Sequence, residues 1–255
     1  MIRVAAVGDI HMGPDNQGLL RPAFETLPDC ADILLLAGDL TRHGTPEEAR
    51  VVAKEVQELG VPVVAVLGNH DHHAERPEEV TAVLQDAGVR VLEGQATVVD
   101  GSHARIGVAG TKGFGGGFVG RSAGEFGEPL MKEFVRYSRR CADGLRTSLD
   151  ELERRGCDVR IALTHFSPVP ETLAGEPLEI YPFLGSYLLA EAIDTSGADL
   201  AVHGHAHAGT EHGMTSGGVR VRNVAQPVIR RAFNVYHLHA HEPAAATVAA
   251  GNGPG

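Results

Sequence analysis

The sequence has no tryptophan, and aromatic residues make up only 5% of its 255 positions. Hydrophobic residues still account for 43% of the chain, an ordinary share for a protein with a packed interior. The core is therefore predicted to consist of valine, leucine, isoleucine and alanine. No apolar run approaches the length of a membrane span, and no basic leader with an apolar segment opens the chain. We expect no association with a membrane.

Cysteine is also scarce. The three cysteines, Cys30, Cys141 and Cys157, are odd in number, widely separated and never in a Cys-x-x-Cys arrangement. Scattered cysteines of this kind are typical of reduced thiols in the cytoplasm, so a cytoplasmic location is expected. A structural zinc held by thiolates is disfavoured for the same reason.

Positive charge is in deficit. The chain has 22 lysines and arginines against 33 aspartates and glutamates, which gives a formal net charge of −11. Proteins that hold nucleic acid usually present a basic surface, so a nucleic-acid partner is disfavoured, although nuclease activity is not excluded. If the acidic residues bind cations, a small phosphoester would be attracted by those cations rather than by lysines.

Strand and helix patterns alternate through the first third of the chain. Strands are predicted at residues 3–7, 32–37 and 61–67, and helices at residues 19–27, 45–59 and 77–87. The second of these helices has Thr45 as its N-cap, Pro46 at its first position and Glu48 to complete a capping box. Strands separated by helices in this way predict βαβ units and a parallel sheet.

The rest of the chain predicts a second set of strands. Residues 96–99 and 104–109 flank Asp100-Gly101 and predict a hairpin. Helices at 129–155 and 184–193, a strand at 199–202 and an antiparallel pair at 219–223 and 233–239 follow. The Ala/Gly/Pro-rich residues 242–255 are expected to form a disordered tail. The predicted fold class is α/β, a four-layer αββα sandwich of two mixed β-sheets flanked by helices, in one domain over residues 1–241.

Polar side chains follow five predicted strands at the point where each strand ends. Ligands of open α/β sheets bind just beyond the carboxyl ends of the strands, so these side chains are expected to meet in one crevice. Carboxylate and imidazole groups suit zinc, iron or manganese, and ligands at i and i+2 of an extended segment point to the same side. The clusters are Gly8-Asp9-Ile10-His11, Gly38-Asp39, Gly68-Asn69-His70-Asp71, Thr164-His165 and Gly204-His205-Ala206-His207.

This order of motifs resembles the calcineurin-like metallophosphoesterase superfamily. The resemblance extends from Asp9 to His207 and implies a centre of two transition-metal ions, with manganese, iron and zinc as the candidates. It makes His70 the histidine that binds no metal and lies beside the scissile phosphate, with Asp71 placed to orient it. By the same resemblance the first metal takes Asp9, His11 and His207, the second takes Asn69, His165 and His205, and Asp39 bridges the two.

The resemblance implies an enzyme that hydrolyses phosphoric esters. Two cations lower the pKa of a bridging water, so that hydroxide can attack phosphorus, while His70 protonates or stabilises the departing oxygen. The compact chain and its Gly-Asn-His-Asp motif are similar to bacterial class III cyclic-nucleotide and glycerophosphodiester phosphodiesterases, which favours a phosphodiesterase. A phosphomonoesterase and a nuclease remain alternatives. A non-catalytic scaffold similar to the retromer subunit of this fold is disfavoured, because His70 and every ligand of the pattern are present.

A glycine-rich segment spans residues 110–127. It lacks the Gly-Lys-Ser/Thr ending of a P-loop and does not form the first βα turn of a dinucleotide fold. We interpret it as a flexible lid over the metal crevice, with Lys112, Phe114 and Phe118 near the substrate. A plain irregular loop is the alternative.

Overall fold

The chain forms two large mixed sheets and a small two-stranded ribbon in the computed structural model, which describes residues 1–101 and 104–240. The strands are β1 (Ile2–Val7), β2 (Ile33–Ala37), β3 (Val63–Val66), β4 (Arg90–Val91), β5 (Gln95–Asp100), β6 (Arg105–Thr111), β7 (Gly117–Phe118), β8 (Arg121–Ser122), β9 (Val159–Thr164), β10 (Leu200–His203), β11 (His212–Met214), β12 (Arg220–Asn223) and β13 (Asn234–Leu238). The α-helices are α1 (Arg21–Phe24), α2 (Leu27–Cys30), α3 (Pro46–Val56), α4 (Pro77–Asp86), α5 (Pro129–Arg154), α6 (Tyr181–Leu184), α7 (Tyr187–Ser196) and α8 (Gln226–Ile229).

The first sheet has the order β13-β1-β2-β3-β4. Strands β1 to β4 pair in parallel, as the alternation of strands and helices predicts, and β13 closes one edge antiparallel to β1. The parallel pairing brings the carboxyl ends of β1, β2 and β3 to the same edge of the sheet. Three of the five ligand clusters therefore begin side by side.

The second sheet has the order β11-β12-β10-β9-β6-β5. Strands β5 and β6 form the predicted antiparallel hairpin, and β6, β9 and β10 run parallel. The prediction that residues 219–223 pair antiparallel with 233–239 is wrong. Strand β12 pairs in parallel with β10, which sets Asn223 beside His203, while β13 belongs to the other sheet.

Three apolar layers hold these elements together. Along β1, Ala5 and Val7 face the layer shared with α1 to α4, whereas Val4 and Ala6 face the layer between the two sheets, as the two-residue period of a strand requires. A third layer packs the second sheet against α5 and α7. Helix, sheet, sheet and helix therefore follow in order, and the predicted sandwich of two mixed sheets flanked by helices is confirmed.

Several element bounds differ from those that the sequence predicts. The helix expected at 19–27 is two short helices, α1 and α2, each with a proline in its first turn. The helix expected at 184–193 is divided into α6 and α7 by an extended Gly185, and Ser186 caps the second part. The predicted tail at 242–255 lies outside the described residues. No helix in the described part of the chain combines the length and the apolar character that crossing a membrane demands.

Helix α3 begins as predicted, because Thr45 accepts a hydrogen bond from the Glu48 backbone N–H at 3.3 Å. Glu48 departs from the capping box, since its carboxylate accepts from the backbone N–H of His43 at 2.7 Å. Glu55, later in the helix, is buried and accepts from the backbone N–H groups of Gly18, Leu20 and Arg21. One carboxylate thus fixes the loop that leads into α1.

We predict that Glu55→Ala lowers the free energy of unfolding by more than about 2 kcal/mol, because hydrogen bonds to a charged group contribute roughly 1.5–3 kcal/mol and three backbone donors, of which the Leu20 N–H is buried, would lose their acceptor. Urea unfolding followed by circular dichroism measures the change. The exposed Glu78→Ala is the matched control and should stay within about 0.5 kcal/mol of the parent. Equal stability of the two variants would show that Glu55 has no anchoring role.

Candidate active site

The predicted ligands meet where strand ends of both sheets face each other. Asp9, His11, Asp39 and His207 place one donor atom each within 4.8 Å of one another, and Asp39, His165 and His205 form a second such group. Asp39, which follows β2, belongs to both groups. The arrangement therefore has the form of two cation sites with one shared carboxylate.

A glycine opens four of the ligand segments, and three of these glycines are in contact with a ligand of another segment. A Cβ atom on Gly68 would collide with the carboxylate and backbone nitrogen of Asp39, and one on Gly204 would collide with the carboxylate of Asp9. A Cβ on Gly38 would lie 2.6 Å from Nδ1 of His165. The ligands can approach one another only because these positions have no side chain.

The backbone is strained at the same place. Among the described residues, seven that are not glycine have a positive φ, and four of these are predicted ligands: Asp9 (55°), His11 (41°), Asp39 (51°) and His205 (71°). Such conformations cost of the order of 1–3 kcal/mol each and cluster at functional sites. Here the chain is held in them by backbone bonds that continue past the strands, from Asp9 N to Gly38 O at 2.9 Å and from His11 N to Asp39 O at 3.1 Å.

His165 is completely buried directly after β9. Its Nδ1 lies 2.9 Å from the carbonyl oxygen of Ala37, and donation to that oxygen leaves the lone pair on Nε2. Nε2 is 2.9 Å from Oδ1 of Asn69 and 3.3 Å from Oδ1 of Asp39. Burial lowers the pKa of His165 well below its ordinary value, so the imidazole is in the neutral form that binds metal.

His205 is arranged in the same way on the other side of the second group. Its Nε2 lies 3.3 Å from the carbonyl oxygen of Phe183, which leaves Nδ1 as the atom with a free lone pair. Burial lowers the pKa of His205 to about 3. The rings of His165 and His205 are 4.7 Å apart, and the ring of Phe166 covers His205 at 4.3 Å.

The first group contains a buried acid and an unpartnered base. Burial, with the nearby Asp39 adding to it, raises the pKa of Asp9 to about 6, although His207 Nε2 lies 2.9 Å from its Oδ1. Burial lowers the pKa of His11 to about 4, and its buried Nε2 has no hydrogen-bond partner among the residues that the structure describes. Two buried carboxylates and an unsatisfied imidazole nitrogen carry a desolvation cost that bound cations would relieve.

The donor set also fits the metals that the sequence suggests. Both groups contain only imidazole nitrogen and carboxylate oxygen, a combination that suits zinc, iron and manganese. Asn69 was expected as a ligand of the second metal, and its Oδ1 lies against Nε2 of His165. The seven expected ligands are therefore brought together at one place.

His70 lies at the mouth of the site. Its Nδ1 is 2.8 Å from the carbonyl oxygen of Arg42, its ring meets the edge of the His11 ring at 4.5 Å, and its Nε2 is 3.9 Å from Oδ2 of Asp39. The carbonyl of Arg42 fixes the ring with Nε2 directed toward the shared carboxylate. Sequence reasoning missed this contact, because every residue type has the same backbone carbonyl and nothing in the sequence marks the one that His70 contacts.

Asp71 is not the group that orients His70. Its carboxylate is completely buried and accepts from the backbone N–H groups of Leu40, Thr41 and Gly68 and from the hydroxyl of Thr41. Burial raises the pKa of Asp71 to about 6. The carboxylate therefore ties the loop after β2 to the loop after β3, and the predicted role of Asp71 is corrected from orienting a side chain to fixing two loops.

The glycine-rich segment differs from a free lid. Phe118 is buried with Leu173, Leu184 and Ala206, so its ring is part of an apolar cluster rather than of an open loop surface. Gly116 N donates to Pro182 O at 2.7 Å and Gly117 N donates to Gly185 O at 2.9 Å. The first half of the segment is thus hydrogen-bonded to α6 and to the residue that follows it. The glycine backbone can approach this closely because it has no side chain.

Lys112 and Phe114 lie behind the second ligand group. The Nζ atom of Lys112 is 4.9 Å from the centre of the Phe114 ring and 5.3 Å from those of Tyr137 and Phe166. Burial lowers the pKa of Lys112. Phe114 packs against Phe134, Tyr137 and Phe166, so its ring belongs to the support of the site rather than to its opening.

Comparison with known proteins agrees with this geometry. Residues 2–209 match the family described as calcineurin-like phosphoesterase, which confirms the resemblance drawn from the motifs. A probable cyclic nucleotide phosphodiesterase of Synechococcus sp. is 34% identical over 92 residues, which is 32% of this chain and 34% of that protein. The match thus spans about a third of that relative.

Two solved structures share the fold. The phosphopantetheinyl hydrolase of Mycobacterium tuberculosis superposes with a TM-score of 0.65 at 16% identity, covering 94% of this chain and 98% of that chain. A putative 5′-nucleotidase of Staphylococcus aureus superposes with a TM-score of 0.56 at 16% identity, covering 87% of this chain and 48% of that chain. At these identities the likeness concerns the fold alone.

We predict that the purified protein, reconstituted with manganese, holds about two ions per chain. Asp39→Asn should lower the content toward zero, because both ligand groups use this carboxylate. Asn69→Ala should lower it toward one ion, since Asn69 lies only beside His165 of the second group. Elemental analysis after gel filtration measures the content. A parent protein that holds one ion or none contradicts the shared-carboxylate arrangement.

Proposed function

Because the chain belongs to the calcineurin-like phosphoesterase family, we propose that it is a metal-dependent phosphoester hydrolase and, within that class, a phosphodiesterase with a dinuclear centre. The observation that supports this most is the pair of ligand groups that share Asp39. The cations would be held by Asp9, His11 and His207 on one side, by Asn69, His165 and His205 on the other, and by Asp39 between them.

The protein contributes rigidity to this centre. When bound, two cations supply hydroxide near neutral pH and neutralise charge on the phosphoryl oxygens. Ala37 and Phe183 hold the rings of His165 and His205 through their carbonyl oxygens, which keeps one nitrogen of each ring directed inward. The Phe166 ring excludes water from one face of His205.

We assign to His70 the role of general acid, which donates a proton to the leaving alcohol. With Nδ1 donating to the carbonyl of Arg42, the protonated ring has a single remaining N–H, on Nε2. That atom is directed toward the shared carboxylate of Asp39, beside the place where a phosphoryl group would lie between the cations. Donation from Nε2 to the departing oxygen is general acid catalysis.

The charges around the site support a diester rather than a monoester. The guanidinium of Arg42 is paired with Asp15 at 2.9 Å, and the ammonium of Lys112 lies over aromatic rings behind the ligands. A dianionic monoester would gain little from either cation, whereas a monoanionic diester needs fewer positive charges. The name of the Synechococcus relative, a probable phosphodiesterase, points the same way.

We predict that His70→Ala keeps both metal ions but loses about 10²–10⁴-fold in kcat, the usual contribution of a general acid. The loss should be large for dimethyl phosphate, in which methoxide is the only available leaving group, and small for a diester that releases 4-nitrophenolate, since nitrophenolate needs no proton. Steady-state rates on both substrates and elemental analysis of the variant measure the effect. Equal losses on both substrates would remove His70 from the leaving-group role.

The preference for diesters is itself testable. With manganese added, kcat/KM for bis(4-nitrophenyl) phosphate should exceed that for 4-nitrophenyl phosphate, because the site offers the monoester no extra cation. Both substrates release nitrophenolate, so one absorbance assay compares them directly. A higher kcat/KM for the monoester would establish a phosphomonoesterase instead. Full metal content without turnover of either substrate would indicate a scaffold.

A further inference from the structure

An apolar pocket of about 650 Å³ is lined in part by Phe183, whose carbonyl oxygen lies beside His205 of the second ligand group. Its walls are the β7–β8 ribbon, the first turns of α5 and helix α6, and they include Met131, Phe134, Pro182 and Phe183. Arg121 is the one charged side chain among the described residues that line it. A volume of this size and an apolar, aromatic lining are typical of sites that bind small organic molecules.

Phe183 connects the pocket to the metal ligands. Its carbonyl oxygen lies 3.3 Å from Nε2 of His205, while its side chain, 61% exposed, forms part of the pocket wall. The wall is also preformed, because Gly116 and Gly117 donate backbone hydrogen bonds to Pro182 and Gly185. A group bound against the Phe183 side chain would be separated from His205 by Phe183 alone.

Phe183, in the pocket wall, and His70 lie beside different halves of the site. His70 packs on His11 at 4.5 Å between ring centres, whereas Phe183 is bonded to His205, whose ring packs on His165 at 4.7 Å. A diester bound between the two halves would have its leaving alcohol beside His70. Its other ester group would then be directed toward Phe183.

We propose that this pocket is a subsite for the ester group that stays on phosphorus, and that it selects an apolar group, aryl or alkyl, over a small or polar one. The proposal rests on the proposed phosphodiesterase function. Its chemical basis is the apolar wall, which includes Phe183, 61% exposed, and Met131, 42% exposed. Burying such surface against an apolar ester group removes both from water.

The first test uses three diesters that all release 4-nitrophenolate and retain a methyl, a hexyl or a phenyl group. Because the leaving group is constant, differences in kcat/KM report on the retained group. In the manganese-loaded parent, the hexyl or phenyl ester should exceed the methyl ester by at least about tenfold, and the better of the two identifies an alkyl or an aryl preference. Equal values for all three esters would overturn the proposal.

A pair of variants separates the pocket from intrinsic reactivity. Met131→Asp places a carboxylate in the lining and should reduce the ratio of the preferred ester to the methyl ester about tenfold. Leu130→Asp makes the same change one residue earlier on α5, at a side chain that is 79% exposed and outside the lining, and should leave the ratio unchanged. The proposal fails if the two variants change the ratio alike.

A binding measurement makes the result independent of turnover. By isothermal titration, metal-loaded His70→Ala should bind diphenyl phosphate or hexyl methyl phosphate about tenfold more tightly than dimethyl phosphate, and Met131→Asp in the same background should remove the difference. If no diester is hydrolysed by the parent, the proposed function fails while this titration still decides the subsite. Equal affinity for all three ligands would overturn the subsite whatever the activity.

Discussion

The carboxylate of Asp39 is the contact on which the site depends. The backbone N–H of His70 donates to its Oδ1 at 2.8 Å, and His165 Nε2 and His11 Nε2 lie 3.3 and 3.9 Å from its two oxygens. Asp39 follows a strand of the first sheet, whereas His165 follows a strand of the second. The second ligand group therefore exists only because the two sheets are packed with their carboxyl ends together. The aliphatic layer between the sheets sets this distance.

Local features of the site are unfavourable in free energy: carboxylates are buried and the backbone is strained. Asp9 and Asp39 are buried within a few ångströms of each other, and both hold a left-handed backbone, which only glycine adopts freely. The surrounding structure must impose these conformations. It does so with backbone bonds between the loops after β1 and β2 and with the buried carboxylate of Asp71, which bonds to the loops after β2 and β3. The strained backbone and the hydrogen bonds that hold it in place therefore lie in the same loops.

Sequence reasoning identified the candidate ligands that the structure brings together, because their chemistry is local. Apolar runs with a two-residue period predict the strands, and the polar residues that follow Gly8, Gly38, Gly68 and Gly204 stand where strand ends meet. The contacts that orient the rings were beyond it, since the carbonyls of Ala37, Arg42 and Phe183 could belong to any residue type.

Two further differences arise from tertiary packing. The pairing of β12 with β10 depends on where the chain returns after residues 204–219, which include β11, and no local pattern encodes that return. Phe118 and Asp71 belong to segments that suggest function, yet both are buried by contacts with residues distant in the sequence. Periodicity and motif order therefore predict the candidate ligands and most of the strands, whereas roles that depend on long-range packing require the structure.

In the glycine-rich segment, the glycines allow close packing of the backbone rather than movement of a loop. At Gly115, an added Cβ would lie 2.5 Å from the carbonyl oxygen of Pro182, and Gly116 N donates to that same oxygen. The absence of side chains lets this backbone lie directly against α6, and α6 in turn supplies the carbonyl that holds His205. A wall already bonded in place needs no ordering when a ligand enters, so less of the binding free energy is lost to conformational entropy. The same glycines that suggest a mobile lid in the sequence thus give the structure a fixed wall beside its candidate metal ligands.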